Sequence, residues 1–342
     1  MNTRNTISRL NLQKSVLQSV RRSSSDASIA AWIQRMTSTP PRTTIDLVDL
    51  ERAQQLCRVL PTRTGRSQVL PEWGDGLSKG HHLAYFWPKN ENEQLGEDGS
   101  STDYNAPQPY SRRMWAGGSF EWPAGQQDSS APTGIIIGSS IREQTSVDRI
   151  EQKAGMIFVH QLKEYSPVDS KQKLLREIRM HVFRPSVAAG TAIKGPEIPT
   201  KTAKKQPAVP EPPYNISYIS TPTLPLLFRF SALTFNAHRI HYDATWARER
   251  EGHSTSAYGG PVVHGPLSAL MCVELVEQWL ERSSEGRGKV MRRFEYRATS
   301  PMYVDRPMEF YAKVGQVQGE EGVRLWVVQD GRVGMTATAQ FH

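Results

Sequence analysis

Hydrophobic and polar positions change period several times along this chain, and the changes outline its elements. Runs over 142–150, 156–165 and 174–183 carry the strand signature. In the last of them Ile178, Met180 and Val182 alternate with Arg179, His181 and Phe183. Four further runs, over 290–298, 308–317, 323–329 and 333–341, close the chain in the same way. The stretch 224–233 is apolar almost throughout and reads as another strand. Two segments have helical spacing instead. Between Ile45 and Leu60 the apolar residues are Leu47, Leu50, Leu56, Val59 and Leu60, with a stop at Pro61 and with Asp46 and Asp49 near the start, where acids favour the helix dipole. Between His264 and Arg282, Leu267, Leu270, Met271, Leu275, Trp279 and Leu280 follow the i, i+3, i+4, i+7 pattern of a buried helix face. Pro266 suits the first position of that helix, since the hydrogen it lacks would find no acceptor there.

The intervening segments divide the chain. Residues 89–109 are polar and acidic and read as a long surface loop, and Gly117-Gly118 reads as a tight turn. Residues 186–213 hold Pro196, Pro199, Pro207, Pro210, Pro212 and Pro213 among Lys, Ala and Thr, a composition that builds no core and predicts an extended linker. The expected units are 45–185, the linker 186–213, and 214–342. Each half offers a cluster of antiparallel strands, and the second adds one long helix. The pattern by itself says α+β.

Composition narrows the functional classes. The net charge of +8 would suit nucleic acid, but residues 1–45 hold Arg4, Arg9, Lys14, Arg21, Arg22, Arg35 and Arg42 against Asp26 alone. Most of the basicity therefore belongs to the leader and not to a binding face, so no nucleic-acid partner is expected. Residues 1–44 are Arg-rich, Ser/Thr-rich and nearly free of acids, which is the composition of a mitochondrial transit peptide, with a basic disordered tail as the plainer alternative. No apolar stretch reaches about eighteen residues, so no membrane span is expected. Cys57 and Cys272 lie far apart without metal-ligand spacing, and read as ordinary thiols with no metal site.

The chemistry concentrates in two short segments. Phe235-Asn236-Ala237-His238-Arg239-Ile240-His241-Tyr242-Asp243 crowds an amide, two imidazoles and a carboxylate together. Gly259-Gly260-Pro261-Val262-Val263-His264-Gly265-Pro266-Leu267 leads into the long helix, whose first free N–H groups can polarise a carbonyl. Proton-transfer groups beside such a helix N-terminus suit acid–base chemistry on a carbonyl compound. Asn236 also fits an Asx turn, Asp243 fits a helix cap, and His238 fits either an outer partner of the site or an exposed position. His81 and His82 form a tempting pair, but no acid or amide accompanies them and they read as structural.

The segment 234–243 resembles the (R)-specific hydratase motif of MaoC-like proteins, and Val262-Val263-His264-Gly265 resembles the His-Gly that opens the central helix of their hotdog domain. The runs Leu233-Thr234-Phe235-Asn236-Ala237-His238 and Val262-Val263-His264-Gly265-Pro266-Leu267 are most similar to the fungal mitochondrial 3-hydroxyacyl-thioester dehydratase type 2 group. Gly80-His81-His82-Leu83-Ala84-Tyr85-Phe86-Trp87-Pro88 and Arg113-Met114-Trp115-Ala116-Gly117-Gly118-Ser119 resemble the degenerate first hotdog of two-hotdog members. The resemblance implies a double hotdog, two antiparallel sheets each wrapped on a central helix and joined into one continuous sheet, with a degenerate hotdog over 45–185 and a catalytic one over 214–342. It implies a hydro-lyase that interconverts (3R)-3-hydroxyacyl and trans-2-enoyl thioesters in mitochondrial type II fatty acid synthesis, in the matrix, as a monomer or homodimer. The substrate would ride on acyl carrier protein or coenzyme A, and no cofactor is required. His241 would be the catalytic base and Asn236 would orient the hydroxyl. Gly265 and His264 would form the thioester-binding turn, with His238 and Asp243 behind. The chain departs from the wider family in carrying Asn236 where a catalytic Asp is usual. Two other readings stay open: a hydratase of a short dicarboxylic acyl-CoA of the mesaconyl type, with Arg239 or Arg229 pairing the distal carboxylate, and a non-catalytic acyl-thioester-binding protein.

Overall fold

The computed structural model describes residues 27–63, 69–123, 134–185, 207–250 and 260–342. Ten strands form a single antiparallel sheet: β1 (Arg42–Leu47), β2 (Arg112–Glu121), β3 (Ser140–Lys153), β4 (Met156–Pro167), β5 (Leu175–Arg184), β6 (Ile216–Ser220), β7 (Met291–Ala298), β8 (Met308–Val317), β9 (Glu320–Gln329) and β10 (Arg332–Phe341). Their order is β1-β3-β4-β5-β2-β7-β10-β9-β8-β6. It is a palindrome of two five-strand halves: each half puts its first strand outermost and its second at the join. The two halves meet where β2 pairs with β7, Gly117 opposite Arg297 through Glu121 opposite Arg293. This is the double-hotdog arrangement.

Strand β2 was not expected from the sequence, because Gly117-Gly118 looked like a turn. The two glycines instead sit mid-strand, where β2 is squeezed between β5 and β7. A Cβ on Gly117 would come 2.5 Å from the Tyr296 carbonyl oxygen, and one on Gly118 would come 2.2 Å from that of Ile178. Their missing side chains let three backbones close up at the join. A register shift between Trp115 and Gly117 in the β2–β5 pairing marks the same point.

Among the described residues, five α-helices accompany the sheet: α1 (27–38), α2 (Leu50–Val59), α3 (Leu224–Leu233), α4 (Ala244–Glu249) and α5 (Gly265–Arg282). The long helix α5 lies against β2 and β7 as well as β6, β9 and β10, so it serves both halves. It is buried nearly all round, from Pro266 to Val276 without interruption. The expected central helix of the first half is corrected: among the described residues, the path from α2 to β2 holds only short 3-10 turns such as His81–Ala84. Three other expectations change. The helix predicted from Ile45 begins at Leu50, capped by the Asp49 carboxylate accepting from Arg52 N at 2.8 Å, while the Thr43-Thr44-Ile45 run pairs with β3 as β1. The run 224–233 is α3, not a strand, since Thr223 caps it and Pro225 opens it. Its continuous apolarity carries no period to separate the two readings. Last, the leader expected over 1–44 overlaps the fold. In α1, Ile29 and Trp32 are buried against Ile157, Val159 and Phe183 of the first half-sheet. Residues 1–26 and 186–206 lie outside the described residues.

A buried ion network ties the first half to α5. Glu274 accepts from Arg63 Nε at 2.6 Å and meets His81 Nε2 at 2.8 Å. Burial opposes the charged carboxylate, but the His81 hydrogen bond and the two nearby cationic partners outweigh it and hold its pKa down at about 2. The stabilisation is thus complete above the ordinary carboxylate range and is lost only as pH falls toward 2. Replacing Glu274 with Ala strands Arg63 and His81 and should cost about 3 kcal/mol at neutral pH, read from the urea midpoint. A midpoint within experimental error of the parent would show that the network is not a tie between the halves.

Candidate active site

The site is assembled at the start of α5. The Asn236 side-chain oxygen accepts from His238 N at 3.1 Å, closing an Asx turn just beyond α3, and Phe235 takes the left-handed backbone (φ 49) that lets the chain reverse there. The turn commits the Asn236 oxygen. Its Nδ2 hydrogens have no protein acceptor among the described residues, which leaves the amide of this cleft-lining residue as a donor. One 3-10 turn later, His241 is buried, and its Nδ1 donates to the Val262 carbonyl at 2.7 Å. Val262 N in turn donates to the Ile240 carbonyl at 2.8 Å, so the two segments lock each other. With Nδ1 protonated, the His241 Nε2 lone pair is the group free for chemistry.

His264 supports this imidazole from behind. The rings stack with centroids 3.6 Å apart and planes 19° from parallel. His264 is fully buried, its Nε2 is 2.8 Å from Ser231 Oγ, and it occupies the N-cap position of α5. Burial drives the pKa of His264 well below that of free imidazole, with the neighbouring His241 and His238 adding to the effect. Burial likewise lowers His241 to about 4, against the smaller opposing pull of its bond to Val262. Both rings are therefore neutral near pH 7. His264 thus packs behind the His241 ring at the head of α5, outside the residues that line the cleft.

Gly265 follows at the first position of α5, where its N–H has no intrahelical acceptor. Asn236, His241 and Gly265 all line one cleft. Across from Gly265 stands Trp115 of β2: a Cβ on Gly265 would touch Trp115 Cδ1 at 3.4 Å. Trp115 Nε1 donates to Tyr296 Oη at 2.8 Å, which fixes the indole. The Gly265 side of the cleft is therefore built by both halves of the sheet.

The remaining sequence candidates sort clearly. His238 packs edge-on against His241 with centroids 5.6 Å apart, and its Nε2 is 3.5 Å from Asp98 Oδ2, so it backs the site. Asp243 caps α4, accepting from Trp246 N at 2.8 Å, and pairs with Arg239 at 2.7 Å. Arg239 also lies over the Trp246 ring, and Arg229 is exposed, so neither cation lines the cleft. Tyr242 is exposed at the rim and Phe230 is core. His81 and His82 are buried on Glu274 and Glu177, as structural residues. Sequence reasoning missed the Val262 carbonyl, Ser231 and Trp115. It also missed that the loop 89–109 walls the site: Arg239 N donates to the Asp98 carbonyl at 2.8 Å.

Comparison with known proteins agrees with this architecture. The MaoC-like dehydratase of Phytophthora capsici superposes with a TM-score of 0.59 over 91% of this chain and 98% of its own, at 11% identity, which bears on the fold alone. In sequence, the mesaconyl-C(4)-CoA hydratase of Chloroflexus aurantiacus is 31% identical over 273 residues, 76% of this chain and 82% of that protein. The mitochondrial hydroxyacyl-thioester dehydratase type 2 of Schizosaccharomyces pombe is 27% identical over 247 residues, 68% of this chain and 76% of that protein. The family model for hydroxyacyl-thioester dehydratase type 2 matches residues 80–304, from the first half through the whole Asn236–Gly265 site. This chain belongs to the hydroxyacyl-thioester dehydratase type 2 family, MaoC-like hydro-lyases on a double-hotdog fold.

Proposed function

We propose that this enzyme reversibly removes water from a (3R)-3-hydroxyacyl thioester to give the trans-2-enoyl thioester, with His241 as the single proton carrier. The shared cleft carries the reading: a buried neutral imidazole, oriented by the Val262 carbonyl, lines one wall system with the Asn236 amide and the Gly265 N–H. The thioester oxygen accepts from Gly265 N–H at the positive end of α5, which acidifies the C2 proton. His241 Nε2 takes that proton, and the electron pair forms the C2–C3 double bond. The C3 hydroxyl accepts from Asn236 Nδ2 and receives the same proton from the imidazolium as its bond to C3 breaks, so one water departs and the base is restored. The low pKa of His241 makes the neutral base a weak one, and makes its imidazolium a strong acid for the departing hydroxyl. An amide at position 236 cannot exchange protons, which is why one histidine does both transfers.

The basic, Ser-rich composition of residues 1–44 and the mitochondrial name of the S. pombe relative support a mitochondrial matrix location. The hydroxyacyl-thioester dehydratase activity of the same relative supports a fatty acyl substrate, to which we add a role in mitochondrial fatty acid synthesis as a proposal. A short dicarboxylic acyl thioester is the second reading, favoured by the C. aurantiacus relative and by a buried arginine in the cleft taken up below.

Four measurements test these assignments. His241→Ala should lower turnover by about 10²–10⁴, the range for loss of a general acid–base group; near-normal turnover would mean that the base lies elsewhere. Asn236→Asp should keep part of the activity with a changed pH profile, whereas complete loss would indicate that the amide acts as an obligatory donor. In the parent enzyme, protonation of His241 removes the base. With burial holding its pKa at about 4, kcat/KM should stay level through pH 6.5 and fall only as pH approaches 4. An acid limb near 6.5 would point to a solvent-exposed imidazole. For location, a fluorescent protein carrying residues 1–45 at its N-terminus should enter mitochondria, and cytosolic fluorescence would sink that part.

A further inference from the structure

We infer that Arg113 forms a subsite for a carboxylate at the far end of the acyl chain, so that the preferred substrate is a short dicarboxylic acyl thioester. The inference rests on the thioester reading above and adds the identity of the acyl group.

Arg113 precedes Trp115 by two residues on β2, on the same face of the sheet and roughly 7 Å along it. Trp115 is the side chain that abuts Gly265, so an acyl group lying from the Gly265 N–H past Trp115 runs toward Arg113. A second path through the site ends at the same place. His241 packs on His238, His238 faces Asp98, and the Asp98–Ser101 loop meets Arg113, whose Nη1 donates to the Ser101 carbonyl at 3.0 Å. Arg113 therefore lines the same cleft as His241 and Gly265, beyond Trp115 along β2.

Charge balance around it is incomplete. From β5, Arg179 is held by both oxygens of Glu177 at 2.7 and 3.1 Å while lying over the Trp115 ring at 4.7 Å. From β4, Lys163 pairs with Glu143 at 2.9 Å. His181 beside Trp115 is kept neutral by burial, its pKa pushed far down, with Arg113 and Arg179 next in effect. On the loop side, Asp98 accepts from Ser100 N and Oγ and faces His238, while Asp103 is taken by Arg42 and Asn90. Among the described residues no carboxylate lies within ion-pair distance of Arg113, although Asp98 acts on it from further off. What Arg113 has is one neutral carbonyl, in a place where burial already disfavours its charge. A guanidinium carries five donors in a planar fork that matches a carboxylate in bidentate fashion. A plain acyl chain would bring a methyl group to that fork and leave it unmet, whereas a distal carboxylate completes it.

The test compares hydration of a dicarboxylic trans-2-enoyl-CoA with that of a trans-2-enoyl-CoA of the same backbone length lacking the distal carboxylate. Both carry the same coenzyme A phosphates, so a phosphate-binding or purely structural Arg113 affects them equally. The parent should favour the dicarboxylic substrate in kcat/KM. Arg113→Leu should lower kcat/KM on it by about 10²–10³, the range for removing one partner of a buried charge pair, with a far smaller loss on the monocarboxylic substrate. Arg113→Lys should recover part of the preference. Equal losses on both substrates, or a parent enzyme that prefers the monocarboxylic one, would overturn the assignment. Should neither thioester turn over, the reaction proposed above fails instead. Calorimetric binding of the dicarboxylic thioester to the parent and to Arg113→Gln, which can still donate to Ser101, then decides the subsite. Equal affinities there would overturn it as well.

Discussion

The join between β2 and β7 is the constraint on which the rest depends. Two five-strand sheets become one only because Gly117 and Gly118 let the neighbouring backbones approach closer than any side chain would permit. That fusion lays α5 across strands of both halves, and α5 carries Gly265 at its head. It also turns Trp115, from the first half, toward the site built by the second. A half that has kept no central helix of its own still supplies a wall of the reaction chamber. Arg113, Arg179, His181 and Lys163 gather on one face of its sheet, beside the ground that α1 covers.

Within the chamber, burial sets the protonation states. His241 and His264 are stacked and neutral, Tyr296 is held in its protonated form, and the paired ions of the first half cancel one another. A neutral, buried imidazole gains from each backbone dipole aimed at it, since little solvent competes. The α5 N-terminus is the strongest of these dipoles. The Val262 carbonyl is the other, and it acts by fixing a tautomer and not by shifting charge.

The sequence held the candidate pair Asn236 and His241 in plain view and hid its surroundings. Asn236 and His241 stood out because polar groups were concentrated in one short stretch, and Gly265 because a helix pattern began there. Val262 could not be read, since it contributes only a carbonyl, which every residue owns. Arg113 and Trp115 were visible as part of a motif, but their role depends on which strand meets α5, a long-range fact. The loop 89–109 looked like surface because it is polar; its polarity serves Asp98 and Ser100 facing inward. Residues 224–233 misled for the opposite reason, being apolar enough to fit either period. At the N-terminus, Ile29 and Trp32 were lost among arginines and serines, although they are buried as deeply as the core.

That last feature bears on how the chain can be matured. A protease trimming a basic leader has to stop short of α1, because a cut at residue 44 would remove Ile29 and Trp32 from Ile157, Val159 and Phe183 and carry away the first residues of β1. With β1 shortened in this way, β3 would become the rim of the sheet from Glu143 to Thr145, and the N–H and carbonyl groups that paired with Arg42–Thr44 would face water. Open rims of that kind invite other chains to pair with them. The helix at 27–38 and the short strand after it thus act as a selvedge, keeping a ten-stranded fabric from fraying into its neighbours.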